Sequence, residues 1–154
     1  MHRINADQTI WILDLFILVA HVDDVLLVGL RAKIDEMKWR IALTYRFKDL
    51  GPVVKYMGIH IIRNRKTRRL FLDQAPYVDE ILEKFDMTNC VPSSLPMDPR
   101  DTWTDAGLPL DEKGIQLYQR AIGWLMYLML GTRPDIAYAV IKLAQFASAP
   151  TSKH

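Results

Sequence analysis

The sequence predicts an α+β fold in which antiparallel β-hairpins come first and helices last. Three observations carry this expectation. Two apolar stretches of strand length, running from Phe16 and up to Leu30, flank the adjacent acids Asp23 and Asp24. A second pair of strand-like stretches meets around Asn64 to Thr67. Toward the C-terminus, Ile115, Tyr118, Ile122, Leu125 and Met129 alternate spacings of three and four, the period of a helix face.

Taken in order, the first pair of strands reads as a hairpin that lifts two carboxylates out of a core at its turn. Arg31 to Phe47 follows as an amphipathic helix, with Ile34, Met37, Ile41 and Tyr45 on one face and Glu36 placed to pair with Arg40 one turn on. Gly51 and Pro52 stop it. Val53 to Arg63 reads as a strand, with Gly58 marking a close backbone approach to a neighbouring strand or to a ligand. Arg68 to Leu72 returns as the second strand of that pair. Asp73 is placed to cap a helix over about Ala75 to Phe85, with Pro76 in its first turn and Tyr77, Ile81, Leu82 and Phe85 as its stripe.

Val91 to Gly114 carries Pro92, Pro96, Pro99, Gly107, Pro109 and Gly114 and reads as a linker or wandering loop. Beyond it the helical pattern breaks at Gly131 to Asp135 and restarts, with Thr132 and Asp135 at capping-box spacing. Ile136, Val140, Leu143 and Ala147 then share a face, so the tail reads as a helical hairpin. The expected organisation is therefore residues 1–90, a Pro/Gly-rich linker at 91–114, and a helical hairpin at 115–154.

At 154 residues the chain is about one domain long. A net charge of +2 is too small to argue for nucleic acid by itself. The single cysteine, Cys90, excludes an internal disulfide framework, fits a reducing interior and has no obvious activating partner. Trp11 to Leu30 is long enough to be mistaken for a membrane span but contains Asp14, Asp23 and Asp24. Each acid costs roughly 2.5 to 3.5 kcal/mol near a bilayer centre, so a transmembrane segment is not expected. Met1 to Gln8 is polar and lacks a signal-peptide pattern, so the expected location is intracellular.

Among residues with chemistry, Asp23 and Asp24 come first. Neighbouring carboxylates repel, and a divalent cation between them is one resolution. A solvated β-turn, for which Asp is favoured, is the other. Asp14 is a poor third ligand, because a strand separates it from Asp23; Asp49 and Asp73 lie in other elements. Arg63, Arg65, Lys66, Arg68 and Arg69 place five cations within seven residues, either a phosphate contact or a solvated hairpin tip. His2, His21, His60 and His154 show no paired zinc spacing, and Trp11, Trp39, Trp103 and Trp124 show no stacking pattern.

The order of several blocks resembles the reverse transcriptase of copia-type retrotransposon polyproteins. His21-Val22-Asp23-Asp24 with Val25 to Gly29 is similar to the aromatic-Val-Asp-Asp motif. Phe47-Lys48-Asp49-Leu50-Gly51 and Tyr56-Met57-Gly58-Ile59-His60-Ile61 resemble the family's next blocks. Tyr118 to Gly123, Leu125 to Leu128 and Thr132 to Ala139 resemble its tail. The resemblance spans about residues 11 to 151.

It implies the C-terminal palm and thumb part of a right-hand polymerase, an RNA-directed DNA polymerase. Asp23 and Asp24 would be the catalytic, metal-binding pair for Mg²⁺. Tyr56, Met57 and Gly58 would form the primer grip, with Gly58 giving close backbone approach. Arg65, Lys66 and Arg68 would contact nucleic acid. A partial palm, the primer-grip hairpin and the start of the thumb would fall in 1–90, and the tail would lead toward a ribonuclease H region. RNA/DNA primer-template and dNTP would be the partners. His21 stands where the family has tyrosine, and Trp124 where it has a small residue. The chain opens at Met1 with the hairpin starting at Phe16, so the fingers and the family's other catalytic aspartate are expected to be absent. On that expectation the fragment is inactive alone, and a protein partner covers the exposed palm. The alternative is a non-catalytic nucleic-acid-binding or protein-interaction remnant.

Overall fold

A computed structural model describes residues 2–98, 100 and 107–154. Pro99 and Trp103, singled out above, lie outside the described residues. The fold is α+β, with two antiparallel sheets and four α-helices among the described residues. It divides into two compact units, one ending at Val53 and the other starting at Val54.

The first unit is a four-stranded sheet, β1 (His2–Arg3), β2 (Ile10–Leu13), β3 (Phe16–His21) and β4 (Asp24–Val28), in chain order, followed by helix α1 (Arg31–Ala42). The predicted hairpin is β3–β4, and β1 and β2 extend it on the other side of β3. Its ladder pairs β-branched and leucine side chains, Ile17 with Val28, Leu18 with Leu27 and Val19 with Leu26. Such cross-strand pairs are the unit of sheet stability. Phe16, 3% exposed, is the buried hydrophobic side chain of this unit among the described residues. A Cβ on Gly29 would lie 2.9 Å from the Leu15 carbonyl oxygen and 3.0 Å from the Phe16 ring. Glycine there lets the end of β4 pass over the start of β3. Trp11 lies under the Arg3 guanidinium, 5.2 Å from its ring centre.

Helix α1 ends at Ala42 rather than Phe47. Tyr45 and Phe47 are exposed, so continuing the helix through these weak helix formers would bury nothing. The expected Glu36–Arg40 pair is present at 3.9 Å, alongside Lys33–Glu36 at 3.2 Å. Lys38 reaches across to Asp49 at 2.7 Å and anchors the segment after the helix.

The second unit opens with a three-stranded sheet, β5 (Lys55–Tyr56), β6 (Ile59–Asn64) and β7 (Arg69–Asp73), followed by α2 (Ala75–Lys84). The stretch read as one strand from Val53 to Arg63 is thus broken by a turn at Met57–Gly58. Its β-branched content predicts extended backbone on both sides and hides the break. Strand β7 starts at Arg69 because Arg68 closes the loop in the left-handed region, φ 55°. Asp73 accepts a hydrogen bond from the Ala75 amide at 3.0 Å, and Pro76 sits in the first helical turn.

Helix α3 (Glu112–Gly131) begins earlier than Ile115, because Asp111 caps it by accepting from the Gly114 amide at 2.8 Å. A 3₁₀ turn (Pro134–Ile136) leads into α4 (Ala137–Ala144). Tyr118 donates to the Leu143 carbonyl and Gln119 to the Ala147 carbonyl, both at 2.8 Å, satisfying main-chain oxygens around the end of α4. The core of this unit holds Ile81, Ile122, Leu128, Ala139 and Val140. Trp124 meets the Phe85 ring edge-on at 5.6 Å, tying α3 to α2. The capping box expected at Thr132 does not form. Thr132 ends α3, and its hydroxyl donates at 2.8 Å to Oε1 of Gln74, which is 2% exposed. Asp135 instead pairs with Arg133 at 2.8 Å.

Candidate functional site

The β3–β4 ladder closes with His21 opposite Asp24, leaving Val22 and Asp23 as a two-residue turn. The turn is therefore one residue earlier than the Asp-Asp pair. Asp23 stands at its tip and Asp24 opens β4. Two-residue hairpins that match strand twist need positive φ at their first central position, usually supplied by glycine. Here Val22 supplies it, at φ 51°. A β-branched residue in that region is a backbone outlier costing about 1 to 3 kcal/mol. The ladder beneath holds it there, since the Val22 side chain itself is 89% exposed.

Alternation along the strands puts His21 and Asp24 on one face and Phe16 on the other. Asp14 lies in the β2–β3 turn, beyond the opposite end of six-residue β3. At about 3.3 Å per residue, that separation keeps it away from Asp23. Among the described residues, no group of three or more His, Cys, Asp or Glu side chains is arranged to hold a metal ion.

Asp7 was not singled out from sequence, yet the Ala20 amide donates to the Thr9 carbonyl at 2.9 Å, which brings this stretch to the His21 end of the sheet. The Asp7 carboxylate accepts from the Thr9 hydroxyl at 2.6 Å and the Thr9 amide at 2.8 Å. Those bonds, with a smaller contribution from the His21 charge, hold its carboxyl below the usual range. Asp-x-Thr is a local turn signature that a reading centred on Asp23 and Asp24 passes over.

Tyr56, Met57 and Gly58 gather at the second tight turn, where Tyr56 pairs with Ile59. Met57 and Gly58 both have positive φ, 48° and 82°, the pattern of a type I′ hairpin. The Tyr127 hydroxyl of α3 donates to the Met57 carbonyl at 2.6 Å. A Cβ on Gly58 would fall on that hydroxyl oxygen. Within the chain, the close approach at Gly58 is to Tyr127. Tyr77 of α2 meets the Tyr127 ring edge-on at 4.9 Å, and burial pushes the Tyr77 hydroxyl above its ordinary value.

Arg65, Lys66 and Arg68 lie together in the β6–β7 loop and are all exposed. Asn64 Oδ1 accepts from the Lys66 and Thr67 amides at 3.0 and 3.1 Å and fixes the loop. His2, His21 and His60 share no metal-ligating cluster among the described residues, and Cys90 is exposed. No helix among the described residues is long and apolar enough to cross a membrane.

Residues 7–99 match the family described as reverse transcriptase (RNA-dependent DNA polymerase). The chain belongs to that family. Over 144 residues it is 38% identical to the retrovirus-related Pol polyprotein from transposon TNT 1-94 of Nicotiana tabacum, covering 90% of this chain and 11% of the polyprotein. It is 35% identical over 137 residues to an uncharacterized mitochondrial protein of Arabidopsis thaliana, covering 87% of this chain and 54% of that protein. The retrovirus-related Pol polyprotein from transposon RE1 of Arabidopsis thaliana is 31% identical over 147 residues, 89% of this chain and 9% of the polyprotein. The chain is a reverse-transcriptase-like region of the copia-type retrotransposon kind and spans a small part of the polyproteins it matches. No solved structure matches it.

Proposed function

We propose that this chain is part of the palm and thumb of an RNA-directed DNA polymerase, with Asp23 and Asp24 as its catalytic, metal-binding carboxylates. The observation that carries this reading is the β3–β4 turn, which exposes both acids at one end of a sheet. Their chemistry fits Mg²⁺, a hard ion usually held by one or two carboxylates together with substrate phosphates. When bound, the ion supplies charge neutralisation at the transferring phosphoryl group. Asp23 and Asp24 would hold it, Asp24 at the start of β4 and Asp23 in the turn that the ladder closes. Among the described residues no third acid joins Asp23 and Asp24 in a metal-holding group, and the proposal is that the isolated chain does not polymerise. Tyr56, Met57 and Gly58 serve as primer grip, and Arg65, Lys66 and Arg68 contact the nucleic acid. The partners are then RNA/DNA primer-template and dNTP. In this reading 1–90 holds the partial palm, primer grip and start of the thumb, 91–114 the linker, and 115–154 the helices toward a ribonuclease H region.

Mn²⁺ is the probe, read by paramagnetic broadening of backbone resonances. Broadening centred on residues 22–24 that disappears in Asp23→Asn supports the assignment; unchanged broadening in that variant overturns it. Robust Mg²⁺-dependent primer extension by the isolated chain would overturn the claim of inactivity. A second reading, a remnant that docks on another protein, is favoured by apolar exposure in the first unit. Val25, Val28, Trp39, Leu43 and Phe47 are all exposed there, while Phe16 is buried. Monodisperse, monomeric behaviour without hydrophobic-dye binding counts against it.

A further inference from the structure

We infer that the β6–β7 tip is a clamp for single-stranded nucleic acid, built from an arginine-lined concavity and an adjoining aromatic platform. The inference rests on the nucleic-acid reading above but not on the metal site. Arg63, Arg65, Arg68 and Arg69, with Asn64 and Leu70, line a concavity of about 300 Å³ at the end of the hairpin. Lys66 lies outside this lining, whereas Arg63 and Arg69, at the strand ends, belong to it. None of these arginines has a carboxylate within ion-pair distance among the described residues, although exposed arginines elsewhere, such as Arg31 and Arg133, are paired. Four guanidiniums without an ion pair around one exposed concavity favour an anion, and their planar forks match phosphate.

The choice of a nucleic acid strand over an isolated phosphate comes from the adjoining sheet face. Ile62 pairs with Phe71 and Asn64 with Arg69, so strand alternation puts Phe71 and Arg69 on one face. Phe71 is 53% exposed and Ile62 56% exposed. An aromatic face one side-chain step from a phosphate-binding arginine is the arrangement on which unpaired bases stack while the backbone is neutralised. Duplex offers no free base face to Phe71, so the occupant is a single strand.

The test is fluorescence anisotropy of the full chain with labelled oligo-dT, its abasic counterpart and a duplex of equal length, in EDTA. Oligo-dT is expected to bind more tightly than the abasic strand or the duplex, with affinity falling about 0.7 log units per log unit of salt for each phosphate contacted. Arg65→Ala with Arg68→Ala should flatten that slope by roughly 1.4, two contacts' worth. Phe71→Leu, which keeps an apolar strand residue, should weaken oligo-dT about five-fold or more and leave the abasic strand and the salt slope unchanged. No binding at low salt, an unaltered slope in the arginine variant, or equal loss for both strands in Phe71→Leu overturns the clamp. Inorganic tripolyphosphate that competes equally with oligo-dT and the abasic strand while Phe71→Leu has no effect also overturns it. Asp23→Asn with Asp24→Asn should bind oligo-dT as the unaltered chain does. Loss of Mn²⁺ with retained strand binding, or the reverse, shows which of the two readings stands.

Discussion

The two tight turns of this molecule, Val22–Asp23 and Met57–Gly58, solve the same backbone problem by opposite means. Both connect antiparallel strands through two residues, and both need a left-handed residue first. At Met57–Gly58 a glycine takes the second position, and a tyrosine from a packed helix grips the main chain. At Val22–Asp23 a β-branched residue takes the first position, and the side chain above it is open to solvent. One turn is held by a tyrosine from a packed helix, the other by its strand ladder. Both turns hold a non-glycine residue at positive φ, and they differ in what holds it there: a tyrosine hydroxyl at Met57, the strand ladder at Val22.

Breaking the braced turn should have the largest effect. Gly58→Ala meets both an unfavourable φ and the Tyr127 hydroxyl oxygen, and is expected to destabilise the chain by about 2 to 4 kcal/mol. Urea denaturation measures it. Tyr127→Phe removes the obstructing oxygen together with its hydrogen bond to Met57. The double variant should therefore lose less than the sum of the two single losses. Strict additivity would show that the hydroxyl does not set the turn.

The unbraced turn should respond in the opposite direction. Val22→Gly relieves about 1 to 2 kcal/mol of left-handed strain and adds about 0.5 to 1 kcal/mol of unfolded-chain entropy. The expected net change is a stabilisation of roughly 0.5 kcal/mol by the same measurement. A clear destabilisation would mean that the valine side chain makes contacts the turn depends on.

This contrast also marks what sequence can disclose. The stripe of α2 and the period of α3 are legible because local pattern and burial agree at Ile81 and Ile122, whereas buried Leu128 lies off the stripe that the spacing picks out. The Met57–Gly58 break is not legible as a turn, because its type I′ geometry lacks the usual Asn-Gly or Asp-Gly signal and Tyr127 supplies the missing constraint. Thr132 reads as a helix start from spacing alone, but buried Gln74 claims its hydroxyl from another element. Gln74 offers no periodic signal of its own. The acids of the site are legible as a pair, while the one-residue offset of their turn follows from the His21–Asp24 register and not from residue type.

The smallest expected effect lies beside the first turn, at Asp7. Its carboxyl is held below the ordinary value of 3.8, first by the Thr9 hydroxyl, then by the Thr9 amide, with His21 adding to both. A depressed folded-state value means that ionised Asp7 favours the folded chain above the unfolded value, and that this contribution disappears as pH falls through the folded value. Asp7→Asn keeps an acceptor for Thr9 but has no ionisation to lose. The unaltered chain should therefore be slightly more stable than the variant at pH 6, with the two denaturation midpoints converging as pH drops below about 4, the ordinary carboxylate range. Because Asp7 is exposed, solvent screens the interaction and the gap at pH 6 should be small. A gap that widens on acidification would show that the Thr9 bonds do not favour the ionised carboxylate, and that the loop beside the aspartate turn is held by something other than this charge.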